Sequence, residues 1–106
     1  MKNAKFALGL DFGTNSVRAL VVDIGNGDEV GTAIFNYPSG AAGILLDPKD
    51  ANLARQSPAD WILGIEKAVP EAIIEAKKKS RDFKPEAIVG IGVDTTGSTP
   101  LPVDRA

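Results

Sequence analysis

Apolar residues along this chain follow two periods, one strand-like and one helical. Lys5 to Asp11 (KFALGLD) is almost wholly apolar, the pattern of a strand covered on both faces. Ser16 to Ile24 (SVRALVVDI) and Val30 to Tyr37 (VGTAIFNY) predict two more strands, reached through the short turns FGTN and GNGDE. In the second turn, Asn26-Gly27 is a hairpin signal because both residues tolerate positive φ. The three runs predict an antiparallel meander. Pro38 to Gln56, with its PSG, small residues and DPKD, predicts a long loop. From Ser57 the period becomes helical: Ile62, Ile65, Val69, Ile73 and Ala76 form one face. Ser57 suits the N-cap, Pro58 the first turn, and Asp60 an acidic capping box. Pro70 predicts a kink or brief break, and Lys77, Lys78 and Lys79 complement the helix dipole as a solvated end or, alternatively, a basic docking patch.

Glu86 to Asp94 (EAIVGIGVD) predicts a fourth strand, and the intervening helix allows it to run parallel to a neighbour. The polar loop TTGSTP follows, then an extended LPVD, and a hairpin turn begins at Asp104-Arg105-Ala106 without a return strand. The expected order is βββαβ plus half a hairpin, an α/β domain cut off at its C-terminus. If the first and fourth strands are parallel neighbours, Asp11 and Asp94 emerge side by side.

Composition narrows the chemistry. The chain has 106 residues, 43% hydrophobic and 25% charged, which fits one soluble domain. It has no cysteine and no histidine, so disulfides, thiolate zinc sites and histidine-based catalysis are excluded. A net charge of −2 argues against a nucleic-acid partner that works by phosphate neutralisation. Lys2 and Lys5 precede an apolar stretch, Phe6 to Leu10, too short for a signal peptide or membrane span. A cytoplasmic protein without a membrane partner is expected.

Two segments are candidates for chemistry. In Asp11-Phe12-Gly13-Thr14-Asn15-Ser16-Val17-Arg18, an acid ends a strand and a Gly-Thr-polar-Ser turn leads into the next. Glycine at 13 allows close backbone approach, and the turn's N–H groups with the Thr14, Asn15 and Ser16 side chains can surround phosphate oxygens. Asp11 can hold Mg²⁺, and Arg18 adds a forked donor. The same residues also suit a plain hairpin turn capped by Asp11. The second segment, Asp94-Thr95-Thr96-Gly97-Ser98-Thr99-Pro100, again places an acid and hydroxyls at a strand's carboxyl end, where open α/β sheets gather ligands. It also reads as a simple surface loop. No Walker loop is present, Gly90-Ile91-Gly92 lacks the third glycine of a dinucleotide fingerprint, and Asp11-Phe12-Gly13 lacks every other protein-kinase segment.

The two segments in this order, GLDFGTNSVRALVVD and VGIGVDTTGSTPLPVD, resemble those of the FGGY family of carbohydrate kinases, and of its ribulokinase branch in particular. The NYPSG loop and the SPADW helix start are similar as well. The resemblance implies an RNase H-like fold of the actin and hexokinase type, with residues 1–106 forming part of the N-terminal domain and the adenosine-binding domain absent. It implies ATP and Mg²⁺, with a ketopentose such as L-ribulose or D-ribulose as substrate. By motif, Asp11 would serve the metal. Gly13, Thr14, Asn15, Ser16 and Arg18 would line the phosphate site, and Thr95, Thr96, Gly97 and Ser98 the sugar pocket. The family's catalytic base belongs to a segment beyond residue 106, so the chain alone is expected to be inactive. Two other classes remain open. One is an RNase H-like two-metal nuclease using Asp11, Asp94 and Glu66. The other is a non-catalytic module that associates, as a homo-oligomer for instance, through unpaired sheet edges.

Overall fold

The computed structural model describes residues 3–106; Lys2 of the short basic stretch lies outside the described residues. Strands β1 (Phe6–Phe12), β2 (Ser16–Asp23) and β3 (Glu29–Asn36) form the expected antiparallel meander. A hairpin of β4 (Ile44–Asp47) and β5 (Asp50–Gln56) follows, then the helix α1 (Pro58–Lys79). A 3-10 turn at Pro85–Ala87 leads into β6 (Ile88–Thr95), which pairs parallel to β1. The main sheet has the order β3-β2-β1-β6, so the helical crossover returns the chain beside the first strand. Among the described residues no helix is long and apolar enough to cross a membrane.

The core lies between α1 and one face of β2 and β3. Val17, Ala19 and Val21 of β2 are fully buried, and Phe6 and Leu8 of β1 extend the same layer. Phe83, from the connection after α1, meets the Phe6 ring edge-on at 5.0 Å between centroids and closes the far end. The helix buries Gly64, Ala68, Ala72 and Ala76 at four-residue spacing. That stripe differs from the expected one: Ile62 is 58% exposed, and Val69 and Ile73 only flank the core. The reason is close approach. A Cβ on Gly31 of β3 would collide with the Ala72 carbonyl and lie 2.9 Å from the Ala76 Cβ. Large residues on the contact line would hold the helix too far out, so small ones occupy it.

Several local expectations change. Pro38 to Gln56 is not a bare loop; its second half is the β4–β5 hairpin, turned at Asp47-Pro48-Lys49-Asp50 with proline in the second position. Its residues are mostly exposed, so no apolar alternation announced it. In the β2–β3 connection only Gly27 has positive φ (81°), and the loop closes with the Gly27 N–H donating to the Asp23 carbonyl at 2.8 Å. The helix starts at Pro58, but the Ser57 side chain makes no capping bond. Asp60 is buried and accepts from the Ser39 hydroxyl at 2.8 Å and the Ser39 N–H at 3.2 Å, pinning the loop after β3 to the helix start. Pro70 does not interrupt α1; it is exposed, so the carbonyl it leaves unbonded can meet water. Lys77 to Lys79 form an exposed end, with Lys79 paired to Glu75 at 3.2 Å. LPVD and the following residues form no strand.

Because nothing at Gly31 can give way except the helix backbone, Gly31→Ala should lower stability by about 2–3 kcal/mol, a typical overpacking cost. A urea unfolding curve checks this; a midpoint equal to wild type would mean the helix can slide outward freely.

Candidate active-site residues

Pairing brings the sequence-identified acids together. Asp11 is in register with Asp94 across the parallel β1–β6 pair and with Arg18 across the antiparallel β1–β2 pair. Adjacent strands lie about 4.8 Å apart, so two carboxylates and a guanidinium share one small patch at the carboxyl end of β1. All three are exposed. By strand alternation they project from the face opposite α1, since Leu8 and Phe12 share the core face with Val21 and Val17. Like charges in register repel, and a cation between them would relieve that repulsion. The oxygen-only donors suit a hard cation such as Mg²⁺. Glu66 is exposed on α1, and among the described residues no three carboxylates gather as a metal cluster.

The turn from β1 to β2 is held from three sides. The Gly13 N–H donates to the Ser16 carbonyl at 2.8 Å, closing the turn. The Thr14 carbonyl accepts from Gln56 Nε2 at 2.8 Å, and the Asn15 carbonyl from the Tyr37 N–H at 2.9 Å. Asn15 Nδ2 donates to the Ala42 carbonyl at 2.7 Å, and Ala42 sits in the left-handed region (φ 51°). The Asn15 amide and the Gly13 N–H, expected at a phosphate, are therefore engaged within the protein. The Thr14 and Asn15 N–H groups have no partner among the described residues. Ser16 is the first residue of β2 and half-buried.

On the α1 side of this turn lies a cleft of about 1000 Å³. Thr14 lines it from the turn, Arg55 and Gln56 from β5, Trp61 from the helix start, and Thr96 and Ser98 from the segment after β6. A recess of about 300 Å³ adjoins it, lined by Gly13 and Thr95 and sharing Gln56, Trp61 and Thr96. The structure thus joins Gly13 and Thr14 to Thr95, Thr96 and Ser98. It leaves Asp11, Asn15, Ser16, Arg18 and Gly97 off the cleft wall. Arg55, Gln56 and Trp61 were not identified from sequence; the one available signal was a polar pair and an aromatic flanking a helix start.

Beneath the turn, Tyr37 is buried and its hydroxyl has no hydrogen-bond partner among the described residues. Burial, and then the Asp11 and Asp60 carboxylates, hold its pKa above the ordinary 10.0. The folded chain therefore keeps the phenol proton after the unfolded chain begins to lose it, so stability is intact below pH 10 and falls above it. Tyr37→Phe should abolish that alkaline decline. It should also raise stability at pH 7 by about 1 kcal/mol, because an unpaired buried hydroxyl is removed. Thermal melts at pH 7 and pH 10.5 check both; a destabilised phenylalanine variant at pH 7 would mean the hydroxyl is bonded.

No protein-family model matches the chain. The chain is 38% identical over 98 residues to a ribulokinase of Vibrio parahaemolyticus, covering 92% of this chain and 16% of that protein. It is 34% identical over 106 residues to a ribulokinase of Geobacillus thermodenitrificans, covering 96% of this chain and 18% of the relative. Among solved structures, a xyloylose kinase from Brucella ovis superposes with a TM-score of 0.64 at 29% identity, covering 85% of this chain and 16% of the other. These names are of sugar kinases, and the nuclease alternative finds no support among them. Over nearly its whole length the chain is homologous to ribulokinases, and it spans only 16 to 18% of theirs.

Proposed function

We propose that this chain is the phosphate- and sugar-contacting part of the N-terminal domain of an ATP-dependent ketopentose kinase, with an RNase H-like fold. The observation that carries the proposal is the junction of the β1–β2 turn with the hydroxyl-bearing segment after β6 around one cleft. The turn offers the free Thr14 and Asn15 N–H groups and the Thr14 hydroxyl to phosphate oxygens. Thr95 and Ser98 offer hydroxyls to a polyol, Thr96 one already paired with the Thr99 hydroxyl, and Trp61 offers an apolar ring beside them. Gly97 has open space where a side chain would stand, leaving the segment narrow.

Mg²⁺ would be held by Asp11, with Asp94 beside it, directly or through water. When bound it would offset negative charge on the phosphates of ATP. Arg18 lies across from Asp11 and would add a forked donor on the same patch. Phosphoryl transfer also needs a base for the sugar hydroxyl and a site for adenosine. The family resemblance puts both in later segments, so the chain by itself positions groups without completing the reaction.

An NMR titration of the 106-residue chain tests this reading. Mg²⁺ with tripolyphosphate should shift the amides of Thr14 and Asn15, and L-ribulose those of Thr95 to Ser98. Asp11→Asn, which suits the strand end about as well, should weaken the polyphosphate response roughly tenfold in Mg²⁺ and leave the sugar response alone. Shifts confined to Lys77 to Lys79 would overturn the assignment. A coupled assay with ATP, Mg²⁺ and L-ribulose should show no turnover above buffer.

A further inference from the structure

We infer that Gln56 is a positioning residue: its bond to the Thr14 carbonyl fixes the plane of the Thr14–Asn15 peptide and so the direction of the unpaired Asn15 N–H. The inference rests on the phosphate reading of the turn for its purpose, but not for its geometry. A trans peptide is planar, with its C=O and N–H pointing in opposite directions, and the described residues contain no cis peptide. Gln56 Nε2 takes the Thr14 oxygen at 2.8 Å, which turns the Asn15 N–H away from Gln56. The next peptide is set in the same manner, because the Tyr37 N–H takes the Asn15 oxygen at 2.9 Å. The Asn15 side chain fastens the turn a third time, to the Ala42 carbonyl at 2.7 Å.

Within the hairpin the tip is closed by the bond from the Gly13 N–H to the Ser16 carbonyl, which leaves the Thr14–Asn15 peptide plane unfixed from inside. Three donors and acceptors from outside the hairpin remove that freedom before any ligand arrives, which is where preorganisation gains affinity. Gln56 also borders the cleft together with Thr14 and Trp61. It therefore ties the end of β5 to the turn along the cleft wall.

The test uses the 106-residue chain and three variants of position 56. Gln56→Met keeps the length and removes the donor; Gln56→Lys keeps a donor. Backbone ¹⁵N relaxation should give a rigid Asn15 N–H in wild type, with an order parameter near 0.85. That value should fall below about 0.6 in Gln56→Met and recover in Gln56→Lys. Gln56→Leu, a branched side chain without a donor, should match Gln56→Met. Affinity for Mg²⁺ with tripolyphosphate should drop about fivefold in Gln56→Met while the unfolding midpoint stays within error. An unchanged Asn15 order parameter in both Gln56→Met and Gln56→Leu overturns the inference. Loss of order at Asn15 in Gln56→Met, with a wild type that is rigid there but shows no polyphosphate response, supports the clamp and removes the phosphate reading instead.

Discussion

Everything in this structure is arranged around the contact of α1 with β3 at Gly31, where backbone meets backbone. Dispersion forces fall off steeply with distance, so a helix seated this closely gains contact along its whole length from small residues. Gly64, Ala68, Ala72 and Ala76 form that seat, and Val17 fills the space left beside Gly64. The height and rotation of the helix then decide where its first turn lands. Asp60 reaches the Ser39 loop and Trp61 reaches the cleft only because the helix is docked at this height.

The strands of the main sheet were legible because burial imposes a pattern. KFALGLD reads as a strand because Phe6 and Leu8 turn into the core, though only that face is covered and not both. Its boundaries differ from the observed Phe6–Phe12 by one residue, while the apolar run of β6 leaves Val89, Ile91 and Val93 exposed. The pairing of Asp11 with Asp94 was legible too, from the rule that a helical crossover returns a strand in parallel. The β4–β5 hairpin was not, because ILLD and DANLARQ are mostly exposed and its stabilising bonds are local ones to Asp47 and Asp50. Asp60 resembled a cap in the sequence, since its position three residues after Ser57 is where caps occur. Its actual partner, Ser39, is invisible without the tertiary structure.

Within the candidate site the same division holds. Residue types announce chemistry: a carboxylate at a strand end, a glycine before hydroxyls. Which atoms remain free does not follow from type. Asn15 appeared to be a ligand-facing amide, yet its side chain is committed to Ala42 and only its backbone N–H remains open. Gln56 was marked only by its place in a polar pair before a helix start, because its partner is a backbone carbonyl and carbonyls are the same in every residue.

The tip of the β1–β2 hairpin is fastened by side-chain bonds that span 27 and 42 positions of sequence. The hairpin itself pairs neighbours, and such local pairing closes within microseconds. Its tip must wait for the loop around Ala42 and for the end of β5 to arrive, and long closures come later because they cost more chain entropy. During synthesis the β1–β2 hairpin can therefore be in place well before its turn acquires its final shape. The tip of that hairpin matures later than the strands that carry it.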